Sequence, residues 1–587
     1  MLGNSYLQVD LLKGLTFKTS FDIDMSASAT NAFTNQIAAA AFNAPPPRPV
    51  TSISGYSSTD NYISWVNENV LTYKKTIAGD HHLEALAGYS AQKLTEYTNR
   101  ANGLTFPDGS IQYVSAATTT SGTNSMTQWS LLSSFGRLDY NYKEKYLFET
   151  SVRSDGSSKF GSNKQYGIFP TVSAGWVVSK ERFMEQLPSV SFLKIRGSYG
   201  LTGNNNFNSS NYPASSLIGP TTYVLNGALV SGRAVSQLGN ADLTWEKNKQ
   251  LDIGFDIGLF NNRITLTYDY YNKITDGLLY SINLPASSGF GSVSSNIGTF
   301  KFWGHEFTVN TANTTGAFRW NTSFNITFNR NLIQKLGTQN LPILPANVYS
   351  WPNIEMVGQP VGMFYGYVNQ GVYMTTADFN ASPKDVTSTV GSVKMKDLNK
   401  DGKITTDDRT LIGNPNPDFL YGMTNSFSYK RWDMNIVIAG SYGGKIADPL
   451  LGQDGNNLDG AFNIYASNLD HWRSESDPGN GKAPRTLAGT TALYRAFNTN
   501  EVHSGSYLTC KNITLGYNIP LSGNKYINKL RAYVSVQQAF VITKYQGLSP
   551  ETTNQGTSSI TGLTPGVDAT EYPIPRTISF GLNMGLF

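Results

Sequence analysis

Strict alternation of apolar and polar residues is the feature that most constrains the fold of this chain. From Leu251 to Leu259 the sequence LDIGFDIGL places an apolar side chain at every odd position and Asp or Gly at every even one. The alternation resumes in RITLTYDY, after Asn261-Asn262, two residues that suit the positive φ of a tight turn. Because successive side chains of a strand point to opposite faces, this stretch predicts a β-hairpin with one apolar and one polar face.

The same alternation recurs along the whole chain. It is clear in FRWNTSFNITFN, residues 318–329, and it continues in other segments, which are 61–75, 81–97, 127–142, 145–155, 169–179, 190–200, 417–430, 432–442, 505–518, 528–543 and 576–587. We expect about 16 to 18 strands of roughly ten residues, the length that a tilted strand needs to cross a bilayer.

The connections between these segments are of two kinds. Residues 143–145 and 430–431 are tight turns, whereas 201–244, 331–416 and 443–504 are long. Short turns at one end and long loops at the other are typical of outer-membrane barrels, whose long loops face the outside. The pattern therefore predicts an all-β fold, an antiparallel transmembrane β-barrel with long extracellular loops.

Composition bears on the choice between this barrel and a soluble β-sandwich or solenoid, in which strands also alternate. Charged residues make up 15% of the chain, below the roughly 25% of soluble globular proteins, and aromatic residues reach 12%. Strands of about ten residues exceed the five or six usual in soluble sheets, and the aromatic residues gather near strand ends. These properties favour the membrane barrel.

Several classes of protein are disfavoured or excluded by simple counts. The net charge of +4 is spread without basic blocks, so we expect no nucleic-acid partner. Cys510 is the single cysteine, which excludes an internal disulfide and a cysteine metal cluster. No apolar run approaches the length of a transmembrane helix, and the first residues, MLGNSYLQVD, do not form a secretory signal.

One segment, DLNKDGKITTDD at residues 397–408, has the oxygen spacing of a calcium loop. EF-hand-type loops use oxygen ligands at positions 1, 3, 5, 7, 9 and 12, with glycine at position 6. Gly402 is sixth, and the ligand positions hold Asp397, Asn399, Asp401, Lys403 through its carbonyl, Thr405 and Asp408. Because Asp408 is shorter than the usual glutamate, we expect weak binding of Ca²⁺, or of Mg²⁺.

The role expected for this ion is structural. It would tie the segment together without a hydrophobic core and hold residues 396–409 near the rim of the barrel. The alternative is a solvated turn without an ion, since Asp, Asn and Gly build many such turns.

Catalysis finds little support in the sequence, and we expect that the protein is not an enzyme and has no organic cofactor. The five histidines do not have the spacing of a metal site, and no Gly-x-Ser-x-Gly elbow is present. Asp252, Asp256 and Asp269 on the polar strand faces form a possible acid group, but a polar barrel wall is the stronger interpretation. Aromatic residues in the long loops are candidates for stacking on a ligand, and no substrate-binding residue is assigned.

Five blocks of sequence, in order, resemble the SusC/RagA-type TonB-dependent transporters of Bacteroidetes outer membranes. The resemblance extends over essentially the whole chain, residues 1–587. The blocks are LKIRGSYGLTGN, LTWEKNKQLDIGFDIGLFNNRITLTYDYYNK, DGKITTDDRTLIGNPNPDFLYG, GSYLTCKNITLGYNIP and ITKYQGLSPE. A run before them, YKEKYLFETSVRSDGSSKFG followed by GIFPTVSAGWVVSKERF, also resembles the family.

The resemblance implies a barrel of the Gram-negative outer membrane that imports oligosaccharides or peptides with a SusD-like lipoprotein, driven by TonB. In this family a signal peptide, a plug domain and a TonB box precede a barrel of twenty-two strands, and none of these segments is recognisable here. The chain is therefore expected to be the C-terminal part of such a barrel, with TonB acting through the missing N-terminal part. The long connection 331–416, with the loop 397–408, is expected on the extracellular side.

A second interpretation retains the calcium loop but assigns the protein no role in transport. In it the chain is a calcium-dependent surface adhesin or binding module, soluble or anchored.

Overall fold

The computed structural model describes most of the chain. The described residues are 1–34, 53–206, 210–337, 339–345, 353–448, 466–486, 493, 496–521, 526–552, 563–568 and 573–586. The chain divides into two compact units, 1–176 with 198–250 and 275–297, and 177–197 with 251–274 and 298–587. None of the helices within the described ranges has the length and hydropathy of a transmembrane segment.

The first unit is built from consecutive antiparallel strands, in which β1 to β7 pair each with the next. A separate hairpin of β9 and β10 follows. The bounds are Leu2–Leu12 (β1), Leu15–Thr34 (β2), Ser54–Ile77 (β3), His81–Leu104 (β4), Thr119–Tyr142 (β5), Tyr146–Ser157 (β6), Tyr166–Val177 (β7), Leu217–Leu225 (β9) and Ala228–Gln237 (β10).

Four strands have residues in both units, which are Val190–Asn204 (β8), Glu246–Leu259 (β11), Ile264–Asn283 (β12) and Ser292–Thr315 (β13). In the second unit the antiparallel pairing runs from β13 through β14, β20, β21, β24 and β25 to β26. These strands are Phe318–Lys335 (β14), Pro417–Tyr429 (β20), Trp432–Gly443 (β21), Tyr507–Asn518 (β24), Ile527–Thr543 (β25) and Thr577–Leu586 (β26).

Short elements lie in the connections. The short strands are Asn353–Ile354 (β15), Met363–Gly366 (β16), Asn369–Val372 (β17), Val393–Met395 (β18), Thr410–Gly413 (β19), Lys445–Ala447 (β22) and Val502–Ser504 (β23). The helices are α1, Thr376–Ala381, and the 3₁₀ turns Val114–Ala116, Val178–Lys180, Arg182–Gln186, Ala286–Ser288, Thr406–Asp408, Ala466–Asn468 and Thr499–Glu501.

Seventeen strands carry the main antiparallel pairing, counted over the described residues, so the predicted all-β fold and strand number are confirmed. Several strands are longer than predicted, since β3, β4 and β5 have 24 residues each. Their added ends are rich in Ser, Thr and Asn, as in TTSGTNS at the start of β5. These ends have few apolar residues, so period-two alternation does not reveal them.

The tight turns have left-handed backbone, which the sequence predicted for Asn261-Asn262. Asn261 and Asn262 have φ of 58° and 59°, and the preceding Phe260 has φ of 54°. At 143–145 the turn uses Lys143 and Glu144, with φ of 54° and 51°. Asparagine tolerates this region well, whereas a phenylalanine there is uncommon and was not predicted.

Aromatic rings follow the apolar face of the second unit from strand to strand. Ring centroids lie 4.9 Å apart for Tyr268 and Phe307, 6.5 Å for Phe307 and Phe328, 5.7 Å for Phe328 and Phe419, and 5.0 Å for Phe419 and Tyr442. On β26 the apolar face is open, with Phe580 83% exposed. Apolar surface of this extent is typical of a face that contacts lipid.

The connection between β14 and β20 is held by two hydrophobic clusters that it shares with later parts of the chain. Tyr367, Val393, Met395, Ile404 and Leu493 form one buried cluster. A second cluster joins the connection to other parts of the unit through Phe364, Ala447, Phe497 and Val567. The expectation that this segment has no hydrophobic core is therefore wrong, because Ile404 of the loop 397–408 belongs to the first cluster. The sequence pattern did not reveal this core because its members are scattered along the chain. Residues 338 and 346–352 of the predicted loop lie outside the described residues.

We predict that a charge is rejected on the apolar face of β14 and tolerated on its polar face. Ile326→Lys would place an ammonium where the family resemblance puts hydrocarbon, at a cost of about 2–4 kcal/mol near the bilayer centre. Asn325→Lys is the matched control, since Asn325 lies on the opposite face and is exposed. Heat-modifiable gel mobility of the membrane fraction measures assembly. Equal mobility and yield of the two variants would contradict the assignment of faces.

Candidate functional site

An arginine bridges two aspartates on the polar face of the second unit. Arg196 on β8 donates from Nε to Asp256 on β11 at 3.2 Å and through Nη1 and Nη2 to Asp269 on β12 at 2.5 and 2.8 Å. Asp256 also accepts a hydrogen bond from Thr267 at 3.0 Å. Gly254 makes room for the bridge, because a Cβ there would lie 2.4 Å from the Asp269 carboxylate.

This bridge decides how the aspartates of the sequence analysis are interpreted. Asp256 and Asp269 are brought together by Arg196, and their charges are offset within the wall. Asp252 is not part of the bridge and has other contacts. A carboxylate held bidentately by a guanidinium is a poor general base, so the arrangement fits a barrel wall better than an active site.

The polar face of the first unit carries a similar row of charges. Cross-strand pairing places Lys74 opposite Glu84, Glu84 opposite Asp139 and Asp139 opposite Glu149. Lys74 Nζ lies 2.9 Å from Glu84, and Arg137 Nε lies 2.8 Å from Asp139. Both units therefore present a wet face whose charges are largely offset by neighbouring side chains.

The first positions of the loop 397–408 form a series of turns that side-chain oxygens close on backbone N–H groups. Asp397 accepts hydrogen bonds from the backbone N–H groups of Lys400 and Gly402 at 2.6 and 2.9 Å. Asn399 accepts from Asp401 N at 3.0 Å, and Asp401 accepts from Lys403 N at 2.9 Å. Gly402 has φ of +81°. These turns bring Asn399 and Asp401 side by side, with Asn399 Nδ2 donating to Asp401 at 3.2 Å.

Asp408, at the last position, binds backbone within the loop. Its carboxylate accepts from Leu398 N and from Thr405 N, each at 2.8 Å, and the side chain is fully buried. Thr405 and Asp408 form a reciprocal capping box at the start of the turn 406–408. Asp408 therefore closes the loop by itself, a role that ligand spacing in the sequence does not reveal.

Ile404 anchors the loop in the protein, because it is 2% exposed and belongs to the cluster around Tyr367. Its N–H donates to the carbonyl of Lys384 at 3.2 Å. Nearby, Lys394 Nζ lies 2.6 Å from Asp378 and holds the pKa of that carboxyl below its usual range. The loop is thus part of a packed region.

The metal prediction for this loop stays a prediction. Among the described residues, no group of three or more His, Cys, Asp or Glu side chains converges as ligands. Asp397, Asn399 and Asp401 lie on one turn, whereas the oxygens of Asp408 and Thr405 are engaged with backbone N–H groups.

A fully buried carboxyl group, which the sequence analysis did not single out, holds another part of the connection between β14 and β20. Glu355 accepts from Gly362 N at 3.1 and 3.2 Å, and its burial raises its pKa to about 8, so that it is protonated at neutral pH. Asn353 donates to the carbonyls of Gly362 at 2.8 Å and Pro565 at 3.3 Å. No sequence motif marks this pair, and its lack of access to solvent argues for a structural role.

We predict that Asp408 holds the loop closed even without a cation. In Asp408→Ala the buried N–H groups of Leu398 and Thr405 lose their acceptor, at a cost of about 1–3 kcal/mol. Trypsin cleavage at Lys400 or Lys403, measured with chelator present, should become about 30-fold faster if about 2 kcal/mol of local stability is lost.

Asp407→Ala is the matched control for this experiment, because the Asp407 side chain is exposed and accepts no hydrogen bond among the described residues. Its cleavage rate should stay close to that of the unaltered protein. Similar rates for both variants would show that Asp408 is not the clamp.

Comparison with known proteins identifies the family. Residues 3–442 match the family described as TonB dependent receptor-like, beta-barrel. The chain is 33% identical over 605 aligned residues to TonB-dependent receptor P3 of Formosa agariphila, covering 99% of this chain and 57% of that protein. It is 28% identical to TonB-dependent receptor SusC of Bacteroides thetaiotaomicron, covering 91% of this chain and 52% of that protein.

Among solved structures, the RagAB peptide transporter superimposes with a TM-score of 0.81 at 23% identity, over 99% of this chain and 61% of that chain. At this identity the likeness shows the fold alone. The chain thus spans between half and two thirds of the length of the relatives it matches. The family match covers most of the chain, and its members are barrels of the outer membrane. The chain therefore belongs to the TonB-dependent receptor family of outer-membrane β-barrels, of the SusC type.

Proposed function

We propose that this chain forms the barrel of a TonB-dependent importer that carries oligosaccharides or peptides across the outer membrane. The observation that carries the proposal is the similarity to TonB-dependent receptors over 99% of the chain. The wall agrees with a wet passage, since Arg196 offsets Asp256 and Asp269 on the polar face. An offset wall does not trap a polar solute by strong unpaired charges.

The proposal includes two partners. One is a SusD-like lipoprotein that covers the extracellular mouth, and the other is TonB, which acts through a segment outside this chain. Support for the first comes from the SusC-type sequence and from the fold of RagAB, which is described as a peptide transporter. The substrate class stays open between oligosaccharide and peptide.

The second candidate is a calcium-dependent adhesin or binding module without transport. The loop 397–408 favours it, because its first positions turn tightly and bring oxygens of Asp397, Asn399 and Asp401 onto one turn. The two functions differ in energy coupling, since only import requires the proton gradient of the inner membrane.

We predict that cells lacking the protein lose uptake of one substrate class. Labelled oligosaccharide and peptide pools are supplied to the deletion strain and to a complemented strain, and intracellular label is measured with and without protonophore. Import predicts loss of internal label in the deletion strain and in protonophore-treated cells, with surface binding retained in the latter.

An Asp401→Asn strain serves as the control for the adhesin. Under the import function its uptake should remain, because the hydrogen bonds of Asp401 lie within the loop and involve none of the wall residues Arg196, Asp256 and Asp269. Surface binding that vanishes with chelator or with Asp401→Asn, with no internal label in any strain, would contradict import and support the adhesin.

We also propose that the loop 397–408 binds Ca²⁺, or Mg²⁺, through Asp397, Asn399, Asp401, the Lys403 carbonyl, Thr405 and Asp408. The fit is good at the first three of these residues, whose side chains lie on one turn. The space around Gly402 is open, since a Cβ at this position would have no heavy atom within 4 Å. Binding requires Asp408 to share its carboxylate between the ion and backbone, so we expect a weak site, at about 0.1–1 mM.

Calorimetric titration of the purified protein with Ca²⁺ and with Mg²⁺ tests this site. We predict that Asp401→Asn removes one ligand charge and weakens binding about tenfold or more, because cation affinity follows ligand charge. Asp407→Asn removes the same charge from a position of the loop that supplies no ligand and should leave affinity unchanged. Equal loss in both variants, or no binding at about 10 mM in the unaltered protein, would rule the site out.

A further inference from the structure

An open cavity of about 730 Å³ lies where β20, β21, β24 and β25 meet the long connections. Its lining includes Tyr421, Leu508 and Ile542, which share a row of the apolar face with Gly440 through direct cross-strand pairing. Gly440 has no side chain, and the Tyr421 ring lies over it, since a Cβ there would be 2.3 Å from that ring. The floor of the cavity is therefore part of the surface that faces lipid.

The height of the cavity along the strands places it at the edge of the hydrocarbon. β21 has twelve residues, from the turn at Lys430-Arg431 to Gly443, and a tilted strand crosses a bilayer in about 9–11 residues. At the short-turn end, Trp432 and Tyr517 have ring centroids 4.8 Å apart. At the cavity end, Phe419 and Tyr442 are stacked at 5.0 Å. Two aromatic levels one crossing apart are typical of the two interfaces of a membrane barrel.

Two lysines line the upper part of the cavity, Lys445 at the start of β22 and Lys544 after the end of β25. Both lysine side chains are exposed, and among the described residues neither ammonium has a hydrogen-bond acceptor or carboxylate partner. Asp418 also lines the cavity, but its carboxylate lies 3.9 Å from Arg330, which offsets its charge. The cavity is thus apolar toward the membrane and cationic away from it.

The neutral polar groups around the cavity are largely engaged inside the protein. Asn416 donates to the carbonyl of Val361 and to Asn414, each at 2.9 Å. Ser504 accepts from the N–H of Ser506 at 3.4 Å. The two ammonium groups are therefore the main groups left for a ligand, and they call for an anion.

We propose that this cavity binds a phosphorylated glycolipid of the outer leaflet, with its phosphate on Lys445 and Lys544 and its acyl chains along Tyr421, Leu508 and Ile542. An amphiphile with an anionic head satisfies both halves of the cavity, whereas a free anion uses only the lysines and a neutral lipid only the apolar row. Cavity and membrane-facing surface are continuous, so the ligand reaches the site by diffusing within the leaflet. The site is independent of the import pathway.

The experiment compares two double variants of the purified protein. Lys445→Gln with Lys544→Gln removes the cationic pair, and Lys430→Gln with Lys529→Gln removes two lysines from the opposite rim. Each protein is placed in neutral phosphatidylcholine bilayers with a small fraction of diphosphorylated lipid A. Bound lipid A is counted by native mass spectrometry, and heat-modifiable mobility confirms that each variant is folded.

We expect the Lys445 and Lys544 variant to bind lipid A about 30-fold more weakly, since each lysine near an anionic headgroup contributes about fivefold. The control variant should match the unaltered protein, and Lys445→Arg with Lys544→Arg should retain binding. Equal losses in both glutamine variants, or no loss in either, would overturn the proposal. So would displacement of lipid A by an excess of inorganic phosphate, which would show that the lysines hold a free anion.

Discussion

The structure depends on the need of every backbone amide for a partner where water is absent. Hydrocarbon offers neither donors nor acceptors, so a chain that crosses it as strands must pair each strand with a neighbour. The consecutive pairing of β1 to β7 and the pairing from β13 to β26 meet this need. Alternation follows from it, because each strand then shows one face to lipid and one to water.

The two faces solve different electrostatic problems. On the lipid side, rings such as Phe307, Phe328 and Phe419 pack against one another and cover this part of the sheet with apolar surface. On the wet side, charges are frequent but neighbouring side chains offset them, as Arg196 does for two aspartates and Arg531 does for Asp433 through a 2.9 Å contact. Such a wall offers a solute many hydrogen-bonding groups and few side-chain charges without a neighbour of opposite sign.

Sequence reasoning recovered the parts of the fold that depend on local pattern, and it failed where distant residues meet. Period-two alternation located the strands, and Asn261-Asn262 located a turn, because both signals are contained in a few residues. Arg196 was not connected with Asp256 because their contact depends on strand register, which local alternation does not specify. The core around Ile404 was missed for the same reason, since Tyr367 and Leu493 are far from it in the chain. At the loop 397–408, spacing predicted ligands for a cation, which stays a prediction, and it did not reveal that Asp408 closes the loop on backbone.

The length of β3, β4 and β5 has a mechanical consequence. At about 3.3 Å per residue, 24 residues measure roughly 80 Å along the strand, well over what a tilted crossing of the hydrocarbon requires. Their pairing runs without a register shift from one end to the other. The three strands therefore form a continuous ribbon with no joint at the membrane surface, so a load applied to its far end is carried by the same hydrogen-bond ladder that spans the bilayer.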